Sequence, residues 1–173
     1  DNITKHLNTL KAWDKDSYEH SLRVGLLSIN MGYELKLNHD NLVYVGQGGL
    51  LHDIGKKNIP WKILTKDSKL TTEEKDVMDK HSLFSYEELE GDKYNIIREI
   101  TLYHHGYKEE LALQTGAKSI NPLLYEIVSC ADIYDALKNP RCYRKEALSK
   151  EKVRNTMNQE FKGYKSYISM MIK

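Results

Sequence analysis

Apolar side chains recur along most of this chain at the three-to-four-residue spacing of a helix, and no segment alternates long enough to make a strand. Residues 16–36 read as an amphipathic helix with Leu22, Leu26, Leu27 and Ile29 turned inward and Asp14 or Asp16 near its start. Asn38 is placed to cap a second helix over residues 40–52, which ends at Gly55. Within that helix Gly46, Gly48 and Gly49 each cost about 1 kcal/mol relative to alanine. Three glycines so close together point to a neighbouring backbone at short range, or to a helix that loosens. An irregular stretch holds Pro60, after which Thr71-Thr72-Glu73-Glu74 forms a capping box for a helix reaching Leu89. Gly91-Asp92 breaks the chain, and residues 93–104 carry Ile96, Ile97, Ile100 and Leu102 on a further helix. A loop follows. Asn121-Pro122 then supplies a cap and a first-turn proline for a helix over residues 123–137. Ser149 caps a last long helix that Gly163 divides. The expected fold is all-α, a single-domain bundle of roughly six to eight helices spanning residues 1–173.

Composition narrows the class without naming the chemistry. A length of 173 residues, 40% hydrophobic and 29% charged, suits one soluble domain with a substantial core. No apolar run approaches the roughly 20 residues of a membrane span, so no membrane segment is expected in this chain. Basic and acidic residues number 26 and 25, and the net charge of +1 is no footprint for a nucleic-acid polymer. Cys130 and Cys142 are too few for a disulfide framework, which fits a reducing, cytoplasmic setting, with Cys130 a small buried apolar residue. The chain opens on Asp1 rather than Met, as a domain cut from a longer protein would, with a sensor or regulatory domain outside it.

His52 and Asp53, in the run LLHDIGK, change the picture because of what surrounds them. His20 lies upstream, and His81, His104, His105 and Asp132 lie downstream. Any one histidine on a helix is more often a hydrogen-bonded structural residue than a ligand. As a set, these are the donors that first-row divalent metals prefer. Asp132 sits mid-helix in the apolar run IVSCADIYDAL, where an ionised carboxylate needs a metal, Lys or Arg to answer it. Adjacent helical residues point about 100° apart. His104 and His105 therefore face one point only if the helix unwinds there. Asp16, four residues before His20, shares its face and is a further carboxylate for a third ion; its alternative role is to complement the helix dipole. His6 and His39 have no such companions and read as surface residues. Tyr33, Tyr86 and Tyr107 read as exposed helix-surface residues.

The order His20, His52-Asp53, Asp132 resembles the HD superfamily of metal-dependent phosphohydrolases, and most closely its HD-GYP branch, which hydrolyses cyclic dinucleotides. The run LLHDIGKKNIPWKILTKDSKLTTEEKDVMDKH is similar to that branch from the dyad to the next histidine. YHH is similar to its paired histidines, and ADIYDAL followed by RCYR to its closing motif. The resemblance covers residues 20–147. In the family a Glu follows the paired histidines and a Gly-Tyr-Pro loop comes after; here Gly106 takes the place of the Glu and no Gly-Tyr-Pro occurs. Cys142 stands where Pro is usual, and Glu126 where a basic residue is common.

The resemblance implies two divalent transition-metal ions, Fe or Mn first and then Ni or Zn. His20, His52, Asp53 and Asp132 would hold one, and His81, His104 and His105 the other, with Asp53 bridging. Asp53 and Lys56 would be catalytic, and Lys56, Arg141 and Arg144 would bind substrate phosphate. The expected function is hydrolysis of a cyclic dinucleotide, cyclic di-GMP or a relative, by a metal-activated water. The alternatives are an HD-type phosphohydrolase acting on another nucleotide or phosphate ester, and a non-catalytic metal-holding signalling module.

Overall fold

The computed structural model describes residues 2–91, 94–119, 121–139 and 146–160. Among these residues every regular element is helical. The chain runs through α1 (Asn2–Trp13), α2 (Lys15–Glu34), α3 (His39–Leu51), a 3-10 turn η1 (Ile54–Asn58) and α4 (Trp61–Leu64). It continues through α5 (Thr72–Met78), α6 (His81–Glu88), α7 (Asn95–Tyr103), α8 (Glu109–Thr115), α9 (Pro122–Lys138) and α10 (Lys150–Glu160). The all-α bundle is as expected, cut more finely. The single helix expected up to Leu89 is two, α5 and α6, and α1, η1, α4 and α8 had no sequence signal. No helix among the described residues is long and apolar enough to cross a membrane.

Local chemistry fixes most of the helix starts. The Asp14 carboxylate accepts from the backbone N–H groups of Asp16 and Ser17 and so caps α2. Asn38 accepts from the Asn41 N–H at 2.9 Å, and Thr71 with Glu74 closes a full capping box. The Ser149 hydroxyl accepts from the Lys152 N–H at 3.3 Å. Pro122 opens α9 as expected, but the Asn121 side chain makes no cap. Instead its backbone N–H donates to the Glu99 carboxylate at 3.2 Å, tying the start of α9 to α7.

The inward face of α2 differs from the expectation. Leu26 is 70% exposed and Ile29 42% exposed, while the buried side is Ser17, His20, Ser21, Val24, Gly25, Ser28, Met31 and Gly32. Small residues are buried there because α3 lies so close. A Cβ added at Gly49 would sit 2.8 Å from the Gly25 Cα, which is backbone on both sides. On the opposite face of α3, a Cβ at Gly48 would meet the Ile100 Cγ2 of α7 at 2.6 Å. The glycines therefore let α3 run through the centre of the bundle, between α2 and α7. The core around it holds Val24, Val45, Ile100, Leu102, Tyr103, Ile127 and Val128.

Replacing Gly49 by Ala sets two effects against each other. Helix propensity improves by about 1 kcal/mol, whereas overpacking against an immovable backbone costs about 1–3 kcal/mol. A net loss of stability is expected, seen as a lower urea midpoint; a raised midpoint would show that α2 and α3 separate easily.

Candidate metal centre

Helix ends aim the histidines. His52 caps the C-terminus of α3, His81 follows the end of α5 as the first residue of α6, and His104 caps the C-terminus of α7. The last carbonyls of a helix have no intrahelical partner. Each ring takes one of them: Nδ1 lies 2.8 Å from the Gly49 carbonyl in His52, 2.7 Å from that of Met78 in His81 and 2.7 Å from that of Thr101 in His104. A carbonyl can only accept, so Nδ1 carries the proton and Nε2 presents a bare lone pair in the neutral ring.

Those lone pairs converge. His81 Nε2 lies 3.2 Å from His104 Nε2, with no proton between them in the neutral rings, and 3.1 Å from His105 Nε2. Burial lowers the His81 pKa to about 4, holds His104 well below the ordinary imidazole value and also lowers His105. The buried Nε2 of His52 has no hydrogen-bond partner. Burial works against protonating that ring, but the neighbouring Asp53 charge outweighs it and raises the His52 pKa. A cation is the species that answers nitrogen atoms arranged in this way.

The carboxylates complete the cluster. His20 Nε2 lies 2.9 Å from Asp132 Oδ1 and 3.6 Å from Asp53 Oδ2. His52 Nε2 lies 3.2 Å from Asp53 Oδ2. The other oxygen of Asp53, Oδ1, lies 3.4 Å from His81 Nε2, so the carboxylate stands between the two sets of histidines. Lys56, on η1, donates from Nζ to Asp53 Oδ2. Burial raises the pKa of Asp53, but His52 and Lys56 overcome it and hold the carboxyl well below its ordinary value. Asp132 is held equally low, against burial, by the His20 hydrogen bond and charge. Three sets of donor atoms lie close enough to hold a metal ion: His20, His52 and Asp132; His81, His104 and His105; and His52, Asp53 and His104.

His104 and His105 resolve the geometric difficulty that a continuous helix poses. α7 ends at Tyr103, and Gly106 turns the chain away at φ +95°, a left-handed conformation that favours glycine. With His105 beyond the helix end, both rings reach His81.

Asp135 is a functional candidate that the sequence reading missed. Its Oδ2 accepts from His20 Nδ1 at 2.7 Å, and Arg23 Nε donates to its Oδ1 at 2.7 Å. The Asn139 amide donates to the same oxygen, Oδ1, at 2.7 Å. This carboxylate sets the His20 ring so that Nε2 faces the cluster, as carboxylates behind metal-binding histidines do. A signal was present: His20 and Arg23 are three apart on one helix, and Asp132 and Asp135 three apart on another. Asp16 belongs to none of the three donor sets; it is exposed in the first turn of α2, where it complements the dipole. His6 is not a free surface residue, since its side chain is only 14% exposed and lies 3.7 Å from Glu88. Tyr86 is half-buried with Arg98 stacked over its ring, whereas Tyr33 and Tyr107 are exposed as expected. Arg141 and Arg144 lie outside the described residues, as do Cys142 and Gly163.

The profile of the HD domain family matches residues 17–137, a span that holds all seven of these donors and Lys56. The chain belongs to the HD family. This HD chain is 31% identical over 147 residues to a Thermotoga maritima protein named cyclic di-GMP phosphodiesterase, across 82% of this chain and 40% of that relative. It is 29% identical to a Vibrio cholerae protein named 3'3'-cGAMP-specific phosphodiesterase 2, across 87% of this chain and 29% of the relative. The chain thus spans less than half the length of these curated relatives. In fold it is similar to the HD domain of the Listeria monocytogenes phosphodiesterase PgpH, with TM-score 0.67 at 17% identity over 96% of this chain and 93% of that one.

The buried imidazoles also predict acid sensitivity in the metal-free protein. His81 stays neutral in the fold down to about 4, whereas the unfolded ring protonates near its ordinary 6.5. Between those values the unfolded state binds more protons, so stability falls as the pH falls. His104 and His105 act in the same direction. His52 opposes them, because its stabilisation is greatest in acid and is lost as pH rises through its raised pKa. With three rings against one, the metal-free protein is expected to melt lower near pH 5 than near pH 7. An unchanged or higher melting temperature near pH 5 would show that the rings are not held neutral.

Proposed function

We propose that this HD chain is a metal-dependent phosphodiesterase that opens a cyclic dinucleotide, cyclic di-GMP or a close relative. The observation that carries this reading is the meeting of five imidazole Nε2 atoms and two carboxylates at one buried locus, next to a lysine. The names of the curated relatives support the substrate class.

In this reading His20, His52, Asp53 and Asp132 hold one divalent ion. His81, His104 and His105 would hold a second, with the Asp53 carboxylate standing between the two sets. The imidazole-rich donor set suits Fe or Mn, with Ni and Zn next, over Mg or Ca. Bound there, such ions supply a nucleophile from water at neutral pH and positive charge for the phosphate oxygens. The chain's own residues do the rest. Lys56 Nζ moves its hydrogen bond from Asp53 to a non-bridging phosphate oxygen and steadies charge as it develops. Asp135 and Arg23 keep the His20 ring from turning. Arg141 and Arg144 grip the outer phosphate oxygens.

The substrate is a small phosphodiester rather than a nucleic-acid polymer, and its setting is cytoplasmic, in keeping with the buried Cys130 thiol. The chain is read as one HD domain, with a sensor or regulatory domain outside it controlling its activity.

Gly106 favours a second reading, hydrolysis of another phosphate ester, because the family's Glu and Gly-Tyr-Pro loop are both missing. Metal-loaded protein is expected to linearise cyclic di-GMP or cyclic GMP-AMP, and Asp53→Ala to abolish turnover. Lys56→Ala is expected to lower kcat by about 10²–10³ while metal content stays unchanged. Hydrolysis of bis(4-nitrophenyl) phosphate alone would support the second reading; no turnover of any ester would leave a metal-holding signalling module.

Asp135→Asn tests the support behind His20. Removing the acceptor charge is expected to weaken metal binding about 10–100-fold in calorimetric titration. Unchanged affinity would make Asp135 a helix-packing residue only.

A further inference from the structure

Trp13 and Trp61 are the chain's two tryptophans, and they stand together. Trp13 is the last residue of α1 and Trp61 the first of α4. Their rings meet edge to face, with centroids 5.8 Å apart and planes at 84°, yet Trp13 is 40% and Trp61 50% exposed. Indoles carry a large hydrophobic driving force and are ordinarily much more enclosed than this.

Their place in the fold is specific. Both are tied by short stretches of chain to the metal-ligand cluster. Asp14, which follows Trp13, caps α2, and from there to His20 the helix rises only about 9 Å. Trp61 follows Lys56 by five residues, a span of at most about 18 Å, and the 3-10 turn and the buried Ile59 shorten the path. Chain connectivity therefore keeps Trp61 within about 18 Å of Lys56 and sets Trp13 one residue before the Asp14 cap of α2, the helix that carries His20.

A dinucleotide whose phosphate lies on Lys56 and the histidines must place its bases outside that polar cluster. The described donors near the site turn their nitrogen and oxygen atoms to one another and are suited to phosphate and metal. An exposed indole offers a flat apolar surface. Stacking on an aromatic ring needs no base-specific hydrogen bond and accepts any π face.

We propose that Trp13 and Trp61 form a stacking platform for a nucleobase of the substrate, with Trp61 presenting the face and Trp13 bracing it edge-on. This rests on the phosphodiesterase reading, and it adds the element that distinguishes nucleotides from other phosphate esters.

Because no other tryptophan exists in the chain, fluorescence excited at the red edge of the indole band, where the twelve tyrosines do not absorb, reports on this pair alone. With metal-loaded protein, guanosine 5'-monophosphate is expected to quench or shift the emission, and ribose 5-phosphate, which lacks the base, to leave it unchanged. In turnover of cyclic di-GMP, Trp61→Ala is expected to raise KM about five- to a hundred-fold with kcat and metal content unchanged. Trp61→Phe, which keeps an aromatic face, restores most of the affinity, and Trp13→Ala lies between.

The platform is overturned if guanosine 5'-monophosphate leaves the emission unchanged, or if Trp61→Ala lowers thermal stability with KM unchanged, which would make the pair a clasp between α1 and α4. A wild-type protein that hydrolyses no cyclic dinucleotide defeats the phosphodiesterase reading instead. The fluorescence comparison of the two monophosphates still decides the platform in that case, since it needs no turnover.

Discussion

Three helices stop in the right places, and the site depends on that. At each stop a backbone carbonyl without an intrahelical partner is taken by a histidine Nδ1, which leaves Nε2 unprotonated and pointing inward. A net contribution of about 1 kcal/mol per hydrogen bond is small. Its directional effect is large, because it removes the tautomer in which Nε2 would carry a proton. Burial then keeps His81 and His104 from recovering that proton. The result is a set of mutually repelling lone pairs that the fold holds together and a divalent cation relieves. An ion bound there would stabilise the fold as it relieves that repulsion.

Close packing brings those helix ends together. Helix axes ordinarily lie 8–10 Å apart according to the side chains between them. α3 approaches α2 through glycine against glycine and α7 through Gly48, which places His52 and Asp53 within reach of ligands on both neighbours. Gly55 does the same for η1. A Cβ there would fall 2.2 Å from the His81 carbonyl oxygen, so the turn carrying Lys56 rests directly on the start of α6. Ser85 secures this junction, accepting from the Gly55 N–H at 2.9 Å and donating to the His52 carbonyl at 2.8 Å. The glycine cost in helix propensity is thus offset by geometry that larger residues would forbid.

The seven ligand candidates, the capping residues other than Asn121 and the all-α class were legible because each rests on a local rule: donor type, cap chemistry or periodicity. What failed to show in the sequence was set by contacts across the fold. Leu26 and Ile29 are apolar at helical spacing, yet the bundle buries the small-residue face of α2 instead, since packing distance outweighed hydrophobicity there. The break between α5 and α6 carries no Gly or Pro; the His81 ring occupies the Met78 carbonyl at that point. Asp135 escaped notice because its role is to hold another ligand, and its partners His20 and Arg23 lie more than a hundred residues away. The short α4 and α8 have too few turns to show a period.

The same contrast explains why the chain departs from its family where it does. The candidate donors at helix ends, His52, His81 and His104, are placed so that a one-residue shift moves a lone pair off target. The segment after His105 is under no such restraint. There the chain leaves α7 through Gly106 at φ +95°, a conformation in which a glutamate would be strained. The turn that brings His105 to His81 is thus one whose backbone favours glycine at the next position. On the proposed reading, contacts to the substrate's bases come from elsewhere, and the exposed rings at the ends of α1 and α4 offer them.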